Sequence, residues 1–150
     1  MQRERILIKQ SHTITTRVRY SETDRMGVVY YGNYATFYEI GRVEFLRSLG
    51  VRYRDLEDIH QLALAVVSME TKYVRPALYD DLLTIETTLH HLEGKYVVFY
   101  TEIRNEAKQL LNTGRVKLCF VSRDLFRSVP IPDFFTAIIL KAFDQPLEKI

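Results

Sequence analysis

The run Ser21-Glu22-Thr23-Asp24-Arg25-Met26-Gly27-Val28-Val29-Tyr30-Tyr31-Gly32-Asn33-Tyr34 sets one carboxylate in a glycine-punctuated loop directly ahead of a long apolar helix. Gly27 permits backbone angles that a side chain would forbid, and Tyr31-Gly32-Asn33 stands where the helix begins. From Tyr31 to Leu49 the positions Tyr34, Phe37, Tyr38, Gly41, Phe45 and Leu49 recur at three- and four-residue intervals, and Gly50 supplies a stop. The spacing predicts one helix of about 28 Å at about 1.5 Å per residue. Gly41 costs that helix ~1 kcal/mol of propensity relative to Ala, which implies close packing against another backbone. The first amides of a helix are unpaired donors beside partial positive charge, so they can hold a carbonyl oxygen that becomes negative while Asp24 acts on its carbon.

Outward from this run, Thr13 to Tyr20 alternates in character and is rich in β-branched residues, the mark of a strand. Arg52 to His60 reads as a short polar helix or turn. Four extended segments follow without helical interruption: Ala63 to Arg75, Leu82 to Glu93, Tyr96 to Asn105 and Leu110 to Val121. The breaks Glu93-Gly94-Lys95 and Glu106-Ala107-Lys108-Gln109 are hairpin-sized, so those pairings are antiparallel. Phe134 to Phe143 closes with an amphipathic helix. With no internal repeat or linker, residues 1–150 read as a single α+β domain in which a five-stranded antiparallel sheet wraps one long central helix.

Bulk properties exclude several function classes. A chain of 150 residues with 47% hydrophobic and 27% charged content buries a real core. No apolar stretch approaches the ~20 residues of a bilayer helix, and Met1-Gln2-Arg3-Glu4-Arg5 lacks a signal-peptide run, so a cytoplasmic protein with no membrane span is expected. The net charge of +2 comes from interspersed residues, which argues against a nucleic-acid partner. Cys119, in an apolar run, is a structural thiol rather than a nucleophile. His90 and His91 are adjacent on a strand and face opposite sides, while His12 and His60 are isolated, so no metal and no other cofactor is expected.

The loop and helix resemble the signature of the 4-hydroxybenzoyl-CoA thioesterase family within the hotdog-fold superfamily. The resemblance rests on Asp24 followed by Gly27-Val28-Val29-Tyr30-Tyr31 and Asn33-Tyr34, on Glu39 with Arg42, and on Tyr73-Val74-Arg75-Pro76 leading into Tyr79-Asp80-Asp81. It implies a hotdog fold, homodimers that join sheets side by side with active sites at the interface, and further assembly into homotetramers. It also implies an acyl-CoA substrate, with Asp24 as the catalytic carboxylate and the Tyr31 backbone amide polarising the thioester carbonyl. The family includes acyl-CoA thioesterases associated with the bacterial Tol-Pal envelope system.

The chemistry suits those parts. A thiolate leaving group of pKa near ~8.5 departs without a strong general acid, so one carboxylate can suffice, as nucleophile or as general base toward water. The Tyr31 amide should contribute on the order of 3 kcal/mol of transition-state stabilisation. Candidate substrate contacts are Gly27, Val29, Tyr30, Asn33, Glu39 and Lys95. The simpler readings are that Asp24 caps a turn or the helix, that Glu39 and Arg42 form an i, i+3 pair, and that Asn33 caps the helix. Tyr30, Tyr34 and Tyr38 read more simply as core or interface aromatics. Lys95 is the first choice for the anionic coenzyme, with Arg75, Arg123 and Arg127 as further basic groups. Two other classes fit the scaffold: a hotdog dehydratase or hydratase, for which the Asp24 loop and main helix lack a histidine, and a non-catalytic acyl-thioester binder.

Overall fold

A computed structural model describes residues 5–7 and 10–143. The sequence reading of Met1 to Glu4 lies outside them. The order is β1 (Arg5–Leu7), β2 (Ser11–Arg17), α1 (Tyr34–Ser48), α2 (Tyr53–Asp58), β3 (Leu62–Tyr73), β4 (Leu82–Glu93), β5 (Tyr96–Arg104), β6 (Leu110–Ser122), β7 (Arg127–Ser128) and α3 (Asp133–Phe143). All ladders are antiparallel, along the path β1-β4-β5-β6-β3, with β2 also on β4 and β7 on the end of β6. Because β1 and β2 pair with successive parts of β4, the sheet has five strand positions. It curls around α1 as a hotdog, so the expected fold class holds.

Apolar periodicity explains why the helix seats itself there. Phe37, Phe45 and Leu46 are fully buried, as are the facing Leu83, Ile85 and Leu89 of β4, Phe99 and Ile103 of β5, and Leu118 and Phe120 of β6. A Cβ on Gly41 would lie 3.0 Å from Ile85 Cγ2 and closer still to Thr87 Oγ1. The close approach expected at Gly41 is therefore to β4 side chains rather than to backbone. Tyr38 lies across Gly114 of β6 in the same way, its hydroxyl donating to Asn112 Oδ1. Burial pushes the Tyr38 phenol up to about 12. The C-terminus of α1 closes with Gly50 at φ +85°, where Val51 N–H donates to the Leu46 carbonyl and Gly50 N–H to that of Arg47. That is a Schellman motif, sealed by buried Leu46 and Val51.

Three differences from the sequence reading have local causes. The helix begins with a 3-10 turn over Tyr31–Asn33, in which Asn33 N–H reaches the Tyr30 carbonyl, before α geometry sets in at Tyr34. The β2 strand stops at Arg17, because the chain turns through a 3-10 segment at Tyr20–Glu22. His90 and His91 do not face opposite sides: β4 is bulged between Leu89 and His91, and the two Nδ1 atoms sit 2.8 Å apart. Among the described residues no helix is long and apolar enough to cross a membrane, and no group of His, Cys, Asp and Glu is arranged to hold a metal.

Candidate active site

The Asp24 loop is a miniature hairpin. Thr23 and Val29 form an antiparallel bridge, Asp24 N–H donates to the Val28 carbonyl at 2.9 Å, and Gly27 N–H donates to the Asp24 carbonyl at 3.0 Å. Gly27 closes the turn at φ +76°, in the left-handed region that favours glycine. A second strap holds the hairpin down, since Val28 bridges Leu78 and Val29 N–H reaches the Ala77 carbonyl at 2.8 Å. The segment Pro76 to Asp81, between β3 and β4, therefore fixes the loop from outside.

This frame leaves the carboxylate half committed. Asp24 Oδ1 accepts from Met26 N–H at 2.8 Å, an Asx turn that orients the group, while Oδ2 has no partner among the described residues. Asp24 thus caps its own turn and not the helix. Asn33 does not cap the helix either: its Nδ2 donates to the Glu22 carbonyl at 2.8 Å, tying the loop's entry to the helix start. The Tyr31 and Gly32 N–H groups have no acceptor among the described residues. They are the orphan donors of the helix terminus.

Beside them a cleft of about 280 Å³ is walled by Val28 and Val29 of the loop, Tyr31 and Tyr34 of the helix start, and Tyr73 and Arg75 at the end of β3. Tyr34 is buried, which pushes its phenol up, with a hydrogen bond to the Ala77 backbone acting the other way. Tyr30 and Tyr31 are exposed with ring centroids 4.7 Å apart. Arg75 lines the cleft and has no ion-pair partner among the described residues.

Two candidates stand apart from this constellation. Glu39 lies on the exposed face of α1, and no Glu39–Arg42 ion pair forms among the described residues. Arg42 is instead buried beside Tyr53, whose phenol is pushed up by burial and drawn back by that guanidinium. Lys95 sits at the far end of the sheet from Asp24, separated by the twelve residues of β4, roughly 35 Å at ~3.3 Å per residue. There Lys95 Nζ donates to Ser128 Oγ at 2.9 Å in a groove of about 450 Å³, and Lys117 Nζ stands 4.0 Å over the Tyr96 ring. Arg123 is engaged with the α2 end, donating to the Glu57 carbonyl and 3.9 Å from Asp58. The sequence reading assigned no role to Tyr73, whose hydroxyl donates to the Tyr31 carbonyl at 3.0 Å. A strand residue so far along the chain carries no local signal of that contact.

A family model described as the Thioesterase-like superfamily matches residues 18–139. The chain belongs to that superfamily. It is 38% identical over 100 residues to the acyl-CoA thioester hydrolase YbgC of Escherichia coli O6:H1, covering 67% of this chain and 74% of that protein. It is 32% identical to the putative acyl-CoA thioesterase YneP of Bacillus subtilis, over 80% of this chain and 89% of the other. The crystal structure of a DHNA-CoA thioesterase from Staphylococcus aureus superposes with a TM-score of 0.79 at 27% identity, covering 93% of this chain and 99% of that one. The superfamily match takes in the Asp24 loop, all of α1 and the cleft.

Proposed function

We propose that this superfamily member hydrolyses an acyl-CoA thioester to the free acid and coenzyme A, with Asp24 as the reacting carboxylate and the Tyr31 amide as carbonyl donor. The observation that carries the reading is the half-committed carboxylate: one oxygen is held by Met26 N–H, the other has no partner among the described residues, and the unpaired helix amides follow directly on the same small hairpin. As nucleophile, Asp24 forms an acyl–oxygen bond while the C–S bond breaks and coenzyme A departs as thiolate. Water then hydrolyses the mixed anhydride and regenerates the carboxylate. As general base, Asp24 instead takes a proton from the water that adds to the carbonyl. In both routes the orphan donors stabilise the developing oxyanion.

Assembly belongs to the same proposal. Among the described residues β3 is an open edge, with Val66, Val67, Met69 and Tyr73 about half exposed, a surface that monomers seldom leave uncovered. Antiparallel pairing of two β3 edges about a two-fold axis sets the Lys95 end of one copy beside the Asp24 end of the other. This answers the separation within one protomer and gives the anionic coenzyme its basic groups. Val29 walls the cleft, and Gly27, Tyr30 and Asn33 build the loop and helix start beside it, whereas Glu39 lies on the exposed face of α1. One hotdog domain, homodimers pairing into tetramers, and a cytoplasmic setting complete the reading.

The test is thiol release from acetyl-, hexanoyl-, palmitoyl-, benzoyl- and 4-hydroxybenzoyl-CoA by wild type and by a folded Asp24→Asn variant. Turnover that collapses in the variant supports the reading, and equal rates remove Asp24 from it.

A further inference from the structure

Tyr73 ends the edge strand, yet its hydroxyl crosses to the first turn of the helix and donates to the Tyr31 carbonyl at 3.0 Å. Its ring is held in place edge-on to buried Tyr34, with centroids 5.5 Å apart at 80°. The Tyr31 carbonyl and the Gly32 N–H belong to one peptide unit. A hydrogen bond accepted at the oxygen of such a unit polarises its N–H and fixes its plane. That N–H has no acceptor of its own among the described residues, whereas the next one, on Asn33, is already spent on the Tyr30 carbonyl.

We infer that Tyr73 is a positioning residue that aims and polarises the Gly32 N–H as a second donor to the thioester oxygen, beside the Tyr31 N–H. The inference rests on the thioesterase reading above and adds to it a second donor and the group that orients it. It also ties the catalytic turn to the edge of the sheet. The same residue contributes to the apolar rim of β3 and holds the peptide at the head of α1, so covering that edge would steady the donor. Serving structure alone, the Tyr73 hydroxyl would alter stability and leave turnover unchanged.

Two measurements test it. With glycine labelled in ¹⁵N, the chain shows only six labelled amides, and Gly32→Ala identifies the Gly32 resonance by its loss. Tyr73→Phe keeps the ring against Tyr34 and removes only the hydroxyl. It is expected to move the Gly32 resonance while those of Gly50 and Gly94 stay in place, and an unmoved Gly32 overturns the inference whether or not any thioester is turned over. In kinetics on the best thioester of the panel, Tyr73→Phe should lower kcat about fivefold, the size of one neutral hydrogen bond, with KM unchanged. Gly32→Pro and Gly32→Ala both crowd the exposed Tyr30 ring, 2.9 Å from the new Cβ, but only proline removes the N–H. The proline variant should be at least about tenfold slower than the alanine one. Wild-type kcat in Tyr73→Phe, alongside an inactive Asp24→Asn, sinks this inference and leaves the thioesterase reading standing. Inactivity of the wild type on every thioester sinks that reading, and the Gly32 resonance then decides the contact by itself.

Discussion

Where α1 meets β4 and β6, contacts are so close that two positions tolerate no side chain: Gly41 lies against Thr87 and Gly114 lies under the Tyr38 ring. Along β3 the reverse holds, with Val66, Val67, Met69 and Tyr73 facing solvent and a bulge at Val67 leaving that residue out of the ladder with β6. One region is closely packed, and the other lies open at the end of the sheet. The contrast accounts for where the proposed chemistry sits, because a fully packed interface has no room for a substrate and a completely open edge has no means of excluding water. The cleft lies on the boundary between them. Tyr34 belongs to the packed side at 3% exposure, and Tyr73, touching it, belongs to the open side at 55%.

Variants on each side separate the two regions, beginning with the largest effect. Asp24→Asn should lower kcat/KM by about 10²–10⁴-fold, the range of a lost general base, without moving the urea midpoint. A comparable loss of stability would place Asp24 in the framework rather than in the reaction. Gly114→Ala drives a Cβ into the buried Tyr38 ring and should cost about 3 kcal/mol in urea unfolding, the upper range of overpacking. A neutral Gly114→Ala would show that the helix sits farther from β6 than the packing indicates.

Tyr38 supplies a pH test of the packed side. Burial raises its folded pKa to about 12 from an unfolded value near ~10, so the unfolded chain gives up its proton first as pH rises. The resulting stability is fully present below pH ~10 and is lost as pH climbs toward 12, by about 1 kcal/mol over the first unit. Urea titrations at pH 9, 10 and 11 should show this slope in wild type and a shallower one in Tyr38→Phe. Identical slopes would mean that water reaches the phenol. The smallest effect on stability belongs to the open edge. Val67→Lys should change unfolding of the monomer by less than about 0.5 kcal/mol, as exposed sites do, yet abolish the proposed β3–β3 dimer in sedimentation velocity and with it most of the turnover. An active Val67→Lys monomer would show that one chain completes the site unaided.

The elements themselves were legible in the sequence. Three- and four-residue apolar spacing placed α1 to within its 3-10 first turn, alternation and hairpin-sized breaks placed β2 to β6 but neither β1 nor β7, and the glycine-punctuated run marked the turn that holds Asp24. These are properties of near neighbours, and periodicity records which face of an element is buried regardless of what buries it. The identity of the burying partner was decided only by the tertiary structure. Gly41 meets side chains of β4, Asn33 serves the Glu22 carbonyl, a bulge turns His90 onto His91, and Lys95 lies a full strand's length from Asp24. The bond from Tyr73 to Tyr31 spans 42 residues. Its existence depends on the register of β3 against β6 and on the curl of the sheet around the helix, both of which are settled by packing over the whole core, beyond the reach of any local run of residues.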